Sequence, residues 1–248
     1  RIKHLAGRVH QRIIERKLGE LLKEEEDGFD LVHAALLVSS IDNPELEAAP
    51  YLELLQRFSL ELKDRLDGVT EPGKRLQGLV DYFTTELGFR GSRMEYYNRA
   101  NSYLNEVIDD REGLPISLSI LFIELGRKAG IKVEGIGVPR HFIVRHQPGK
   151  GEAALIDVFD NCKRINLKDA SRLSGVTLSP GSLVPSSRRG ILERLLRNLV
   201  NVSTMERDVQ SLLRYLDILL LIRKDAAHER WQRAVLRSRT GQPAAAAK

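Results

Sequence analysis

Cysteine is almost absent: Cys162 stands alone among 248 residues. A lone thiol cannot close an internal disulfide, and a cysteine-rich zinc site is excluded. The usage fits a reducing compartment, so the expected location is cytoplasmic. Long apolar runs are missing as well. A bilayer-crossing helix needs about 20 apolar residues, and the longest run here, Leu216 to Ile222, is far shorter. No membrane partner is expected. The opening residues, RIKHLAGRVHQRIIERK, are charged throughout and lack the apolar stretch of a signal peptide. The chain starts at Arg1 rather than Met, which leaves a preceding targeting segment open. The six histidines show no HExxH or related metal-ligand spacing. The stretch DGVTEPGK lacks phosphate-loop spacing. Neither a metal nor a cofactor is expected.

Apolar residues make up 42% and charged residues 29%, the balance of an ordinary globular protein with a sizeable core. The net charge of +5 is unevenly placed. Residues 187–248 carry 13 Lys and Arg against 6 Asp and Glu, so the rest of the chain is slightly acidic. A basic end can attract nucleic acid, acidic proteins or anionic lipid. Its arginines are mixed with acids at helical spacing, which equally describes a solvated helical surface. Trp231 and Tyr215 fall at helical positions and read as core rather than base-stacking platforms.

The first ninety residues read as helical. Ile13, Ile14, Leu18, Leu21 and Leu22 form one stripe. Asp30 is placed to cap a second, apolar helix. Pro50 predicts a break or short turn in a third, which ends at Gly68. A fourth closes at Gly88. The middle changes character: a short helix, a Gly-Leu-Pro turn and a buried helix from Pro115 to Ala129, stopped by Gly130. Three strand-like runs follow, IKVEGIGV, HFIVRH and EAALIDVF, the last two joined by a turn-rich QPGKGE. The segment LSPGSLVPSSRRG reads as a linker and boundary. Beyond it lie three amphipathic helices, the second opened by a Ser203/Glu206 capping box and the third capped by Asp225. The last residues, GQPAAAAK, read as unstructured. The expected division is a helical region over 1–90, a core over 91–180 and a helical hairpin array over 187–242.

One constellation carries chemistry. A cysteine nucleophile favours a helix N-terminus, where the positive end of the dipole stabilises thiolate. It needs a histidine base and a carboxylate or amide to orient that base. Papain-like folds supply these in order: helix start, one strand, the next strand. This chain has that order in Gly113-Leu114-Pro115, then His141, then Asp157. The position of the nucleophile is Pro115, which has no nucleophilic side chain and no N–H for an oxyanion hole. Ser117 lies roughly 200° around the helix from that position, and Ser119 shares its face roughly 6 Å deeper. Cys162 follows Asp157 by five residues but is not at a helix start, so nothing evident lowers its pKa. His146, five residues after His141, points to the other face of the strand.

The segment from NSYLNEVIDDREGLPISLSILFIELGRKAG through PRHFIVRH to LIDVFD resembles the transglutaminase-like superfamily in its SirB-type bacterial branch. GLP stands where that superfamily has Gly-x-Cys. PRHFIVR resembles its Pro-Gly-His-Phe segment, and IDVFD its Asp-Pro-Phe segment. AALLVSSIDNPELE resembles the branch's N-terminal helices, and the last three helices its tetratricopeptide-like tail. The resemblance implies an α+β fold: a helical N-terminal region, a papain/transglutaminase-like core with a central helix on a small antiparallel sheet, and a C-terminal helical hairpin array. It places His141 at the general-base position, Asp157 at the orienting position and Pro115 at the nucleophile position. Asn101, Tyr103 and Asn105 belong to the same motif and are candidate pocket-lining residues; they equally suit capping and packing of a short turn.

Three functions follow as expectations. The first is a pseudoenzyme, a non-catalytic module that binds a peptide or protein partner. The second is an atypical hydrolase or acyl-transfer enzyme that uses His141 and Asp157 without a cysteine. The third is a nucleic-acid- or ribosome-associated factor acting through residues 187–248.

Overall fold

The computed structural model describes residues 2–23, 28–149 and 152–240, with backbone alone for residues 2–5. In chain order its helices are α1 (Ile2–Leu21), α2 (Leu31–Ser39), α3 (Ala48–Arg65), α4 (Pro72–Asp81), α5 (Leu104–Asp110), α6 (Pro115–Lys128), α7 (Leu167–Ser174), α8 (Arg188–Met205), α9 (Val209–Ile222) and α10 (Ala227–Arg239). The strands are β1 (Arg90–Gly91), β2 (Glu112–Gly113), β3 (Val133–Val138), β4 (His141–His146), β5 (Ala154–Asp157) and β6 (Lys163–Ile165). The class is α+β, as the sequence indicates.

Contacts divide the chain into two compact units, Arg1–Leu46 with Arg188–Lys248, and Glu47–Ser187. The segment expected over 1–90 is thus shared between them, and the last helices group with the first two. The cause is visible in α2. All its residues except His33 are buried, so it must be covered on every side. Helices α1 and α8 pack against it. Asp30 caps it as expected, accepting from the His33 N–H at 2.9 Å. In α1, Ile14 and Leu18 are buried while Ile13 is exposed.

The second unit is built on an antiparallel sheet in the order β3-β4-β5-β6. Helix α6 lies on β3 and β4, with α3 against it. Most α6 side chains are buried, including Ile116, Leu118, Ile120, Leu121, Phe122 and Leu125. Each such side chain contributes about 1.5–3 kcal/mol, so α6 is the central strut of the core. Gly130 (φ +72°) ends it in the left-handed conformation that a side chain resists. The register pairs Val138 with His141 and Val144 with Ile156. That brings the start of β4 close to the end of β5.

Several local expectations are overturned. Pro50 does not break α3; it sits in the first turn, where backbone N–H groups have no intrahelical partner to lose. Ser203 is interior to α8, not a cap. Asp208 caps α9 instead, accepting from the Ser211 N–H at 3.1 Å and the Ser211 hydroxyl at 2.6 Å. Asp225 is bound to Arg223 and does not cap α10, whose N-cap is Ala226. The proline- and serine-rich segment is not free of the core. Ser186 N–H donates to Gly135 O at 2.8 Å, and Pro185 bridges Ile136, so the segment straps the open edge of β3. Strand β6 and helix α7 are additional. The latter opens with a reciprocal Asn166/Asp169 box. Part of the QPGKGE turn (150–151) and the tail from residue 241 lie outside the described residues.

Candidate functional site

The site starts at the N-terminus of α6. Pro115 is its first residue, buried, with φ preset for a helix. Leu114, the N-cap, has no side-chain acceptor. The reverse half of a capping box is present: Ser117 Oγ accepts the N–H of Leu114 at 2.9 Å and donates to Asn101 O at 2.7 Å. Asn101 O also receives the Leu114 N–H at 3.2 Å. Asn101 is itself held by a bond from Nδ2 to Glu95 O at 2.6 Å. Ser119 Oγ donates to Pro115 O at 2.6 Å. Both serine hydroxyls are fully buried and engaged with backbone, so neither is presented as a nucleophile.

His141 and Asp157 meet. His141 Nε2 lies 3.0 Å from Asp157 Oδ1, and the two side chains are only 11% and 4% exposed. The same oxygen accepts from the Phe159 N–H at 3.1 Å and the Asp160 N–H at 3.4 Å. A carboxylate only accepts, so Nε2 carries the proton. In the neutral ring Nδ1 then has the lone pair. The pair therefore holds the tautomer an orienting carboxylate is meant to select. It also ties β4 to the turn after β5.

The surroundings of His141 include groups the sequence did not single out. Phe159 meets the imidazole edge-on at a centroid distance of 6.3 Å. Tyr96 meets Phe159 at 5.9 Å, and Tyr97 meets Tyr96 at 5.3 Å. Arg93 lies over the Phe159 ring and pairs with Asp160. Gly91 makes this approach possible: a Cβ there would come within 2.5 Å of Phe159 O. Tyr97 is exposed, as is Met94 on the same segment, Met94 almost fully. The glycine before two adjacent tyrosines was the available signal.

Of the three upstream candidates, Asn101 braces the start of α6 as described. Tyr103 is the N-cap residue of α5, and its N–H bonds Ala100 O at 3.1 Å. Asn105 directs Nδ2 to Glu106 at 2.8 Å. Its buried Oδ1 and the buried Ser102 hydroxyl lack hydrogen-bond partners among the described residues. Tyr51 donates to Asp109 at 2.7 Å nearby, and burial with that carboxylate pushes its phenol up to about 12.

Cys162 occupies the β5–β6 turn, where Asn161 (φ +53°) and Cys162 (φ +54°) are both left-handed. Its thiol is buried, and burial followed by the nearby Asp157 charge pushes its pKa well above the ordinary thiol range. That is the reverse of what a thiolate nucleophile needs. His146 is buried, and burial with the Arg164 charge lowers its pKa. Among the described residues no group of three His, Cys, Asp or Glu is placed to hold a metal ion. No helix there is long and apolar enough to cross a membrane.

A family model described as transglutaminase-like superfamily matches residues 49–197. The chain is 32% identical over 187 residues to a UPF0162 protein of Xylella fastidiosa (strain Temecula1), covering 72% of this chain and 66% of that one. It is 31% identical over 124 residues to a UPF0162 protein of Vibrio cholerae, covering 50% and 46%. It is 32% identical over 129 residues to F-box only protein 21 of Homo sapiens, covering 49% of this chain and 20% of that protein. The chain thus spans just under two thirds of the length of the first of these relatives. No solved structure matches.

Proposed function

The chain belongs to the transglutaminase-like superfamily, and we propose that it is a non-catalytic module that binds a peptide or a segment of a partner protein around its His141–Asp157 pair. The observation that carries this reading is Pro115. It stands where the superfamily resemblance places the nucleophile, and it offers no attacking atom and no N–H. The alternative nucleophiles are poorly suited: Ser117 and Ser119 are consumed in backbone bonds, and the Cys162 thiol is held protonated. The exposed Tyr97, in ring contact with Tyr96, and the exposed Met94 on the same segment support an apolar interaction surface there. The match to one fifth of F-box only protein 21 supports a module that a larger protein can carry, and a protein-interaction role.

Within the superfamily we assign the chain to the SirB-type branch, on GLP, PRHFIVR and IDVFD, and read α8–α10 as tetratricopeptide-like. Successive packing of α8 on α9 and α9 on α10 supports that reading. Stacked helices of this kind build partner-binding surfaces.

One observation favours the enzyme reading: the intact 3.0 Å bond between His141 and Asp157. The two are separated by assaying purified protein for ester and amide hydrolysis and for glutamine-to-amine acyl transfer, alongside His141→Ala. No turnover above the variant is expected. Turnover that the variant abolishes overturns the proposal. A photo-crosslinking residue at Tyr97 tests binding directly, with a peptide or protein adduct expected there and none at a distant exposed control. The third reading, nucleic-acid association, is weakened by the ion pairing of α8–α10, where Arg197 binds Glu193 and Glu229 and Arg223 binds Glu193.

A further inference from the structure

The unit formed by the first two and last three helices contains a groove of about 1420 Å³ lined by α1, α9, α10 and the residues after α2. Pockets for small ligands run to about 1,000 Å³, so this one is of a size for a length of chain. Seven Lys and Arg line it against three Asp and Glu. The three carboxylates are already engaged. Asp42 binds Arg214 with its Oδ1 at 2.5 Å. Asp217 holds Arg233 at 3.1 Å and Arg237 at 2.6 Å. Glu15 accepts from Gln11 at 2.8 Å.

What remains is a surplus of cations. Arg8 and Arg12, one turn apart on α1, Lys224 between α9 and α10, and Arg230 on α10 are all exposed and form no ion pair among the described residues. The Arg230 guanidinium is turned to Lys224 O. Between these charges the lining includes Ile41, Leu213 and Leu221.

We propose that this groove binds an acidic peptide segment of a partner protein, with apolar residues spaced between its carboxylates. Guanidinium groups take carboxylates in paired, directional bonds. The apolar lining accepts the intervening side chains. A nucleic acid fits less well. No Phe, Tyr or Trp lines the groove to stack bases. A strand's evenly repeated phosphates would also meet Asp42, Asp217 and Glu15, whereas a peptide can set neutral residues there. The proposal involves none of the residues around His141, so it stands or falls apart from the binding proposed there.

The test is selection of a randomised dodecapeptide library displayed on phage, against the full chain and against Arg8→Glu/Arg12→Glu/Lys224→Glu. These three side chains are exposed and outside the ion pairs of the described residues, so the variant should keep its fold, checked by circular dichroism. The wild type is expected to enrich peptides rich in Asp and Glu with interspersed Leu, Ile or Phe. A synthesised winner should lose affinity by roughly tenfold or more against the variant, since each contact removed counts and each reversal repels. No enrichment, enrichment without an acidic excess, or equal binding by the variant overturns the proposal. So does tighter binding of a (dT)12 oligonucleotide that the same variant abolishes, which would assign the groove to nucleic acid.

Discussion

Replacing Asp157 tests what the His141–Asp157 pair is for. Its Oδ1 accepts three donors: His141 Nε2 at 3.0 Å, Phe159 N at 3.1 Å and Asp160 N at 3.4 Å. Asp157→Ala removes all three acceptor contacts in a side chain that is almost fully buried. A hydrogen bond to a charged acceptor is worth about 1.5–3 kcal/mol, and an orphaned buried donor costs about 1–3 kcal/mol. The 3.4 Å contact is long and adds little. The turn at Phe159 is half-buried, so water can recover part of the loss there. The expected cost is about 3–4 kcal/mol. Asp157→Asn keeps an oxygen for the two backbone donors and loses only the charge, so about 1–2 kcal/mol is expected. Because the chain has two compact units, global unfolding need not be two-state. Native-state hydrogen exchange at the Phe159 and Asp160 amides is the better assay, with urea unfolding beside it. Alanine costing under 0.5 kcal/mol, or asparagine costing as much as alanine, would refute the bond network as the reason Asp157 is there.

Three further outcomes follow from single residues. Ser117→Ala should destabilise by about 1–3 kcal/mol in urea unfolding, since it leaves the Leu114 N–H with one long bond and deprives Asn101 O of its shorter donor; a neutral result would mean the α6 start is held by packing alone. Cys162 should not react with a thiol reagent at pH 8 until the protein unfolds, because burial raises its pKa and covers the sulfur; rapid modification of the folded protein would contradict that. His146 has its pKa lowered by burial, so the unfolded chain binds more protons than the folded one below the ordinary value of about 6.5. Stability should therefore fall as pH drops from about 6.5 towards the folded-state value and level off below it, and His146→Gln should flatten that slope in thermal melts; an unchanged slope would assign it to another group.

Much of the core could be read from the chain because local and global preferences agree there. Pro115 and Gly130 bracket α6 by fixed backbone conformation, and the apolar run between them has one way to be buried. The His141–Asp157 meeting was legible for a similar reason: two short strands with a turn between them pair in one register. Other features depended on competition that sequence does not display. Pro50 looks like a breaker until one knows that the helix begins two residues earlier. Ser203 and Asp208 both offer caps, and the more C-terminal one operates because α8 keeps its periodicity to Met205. The Phe159, Tyr96 and Arg93 surround of His141 arises from a close approach that Gly91 permits, between segments far apart in the chain. The basic groove is equally non-local. Its cations outside the ion pairs, Arg8, Arg12, Lys224 and Arg230, come from the two ends of the chain, and their convergence is a property of packing, not of composition.

Pro115 takes on a fuller meaning beside its neighbours. A helix start that serves chemistry leaves N–H groups facing a ligand and a side chain able to attack. Here the first N–H is absent, the N-cap N–H goes to Ser117 and Asn101, and Pro115 O receives Ser119. The polar side chains that could have looked outward are turned inward to fasten the helix to the segment before it. Ser117 and Ser119 therefore act at this terminus as fasteners, each hydroxyl being committed to a backbone carbonyl. For the binding function proposed above, such bracing would supply a surface held fixed, since rigid placement lowers the cost of ordering on binding.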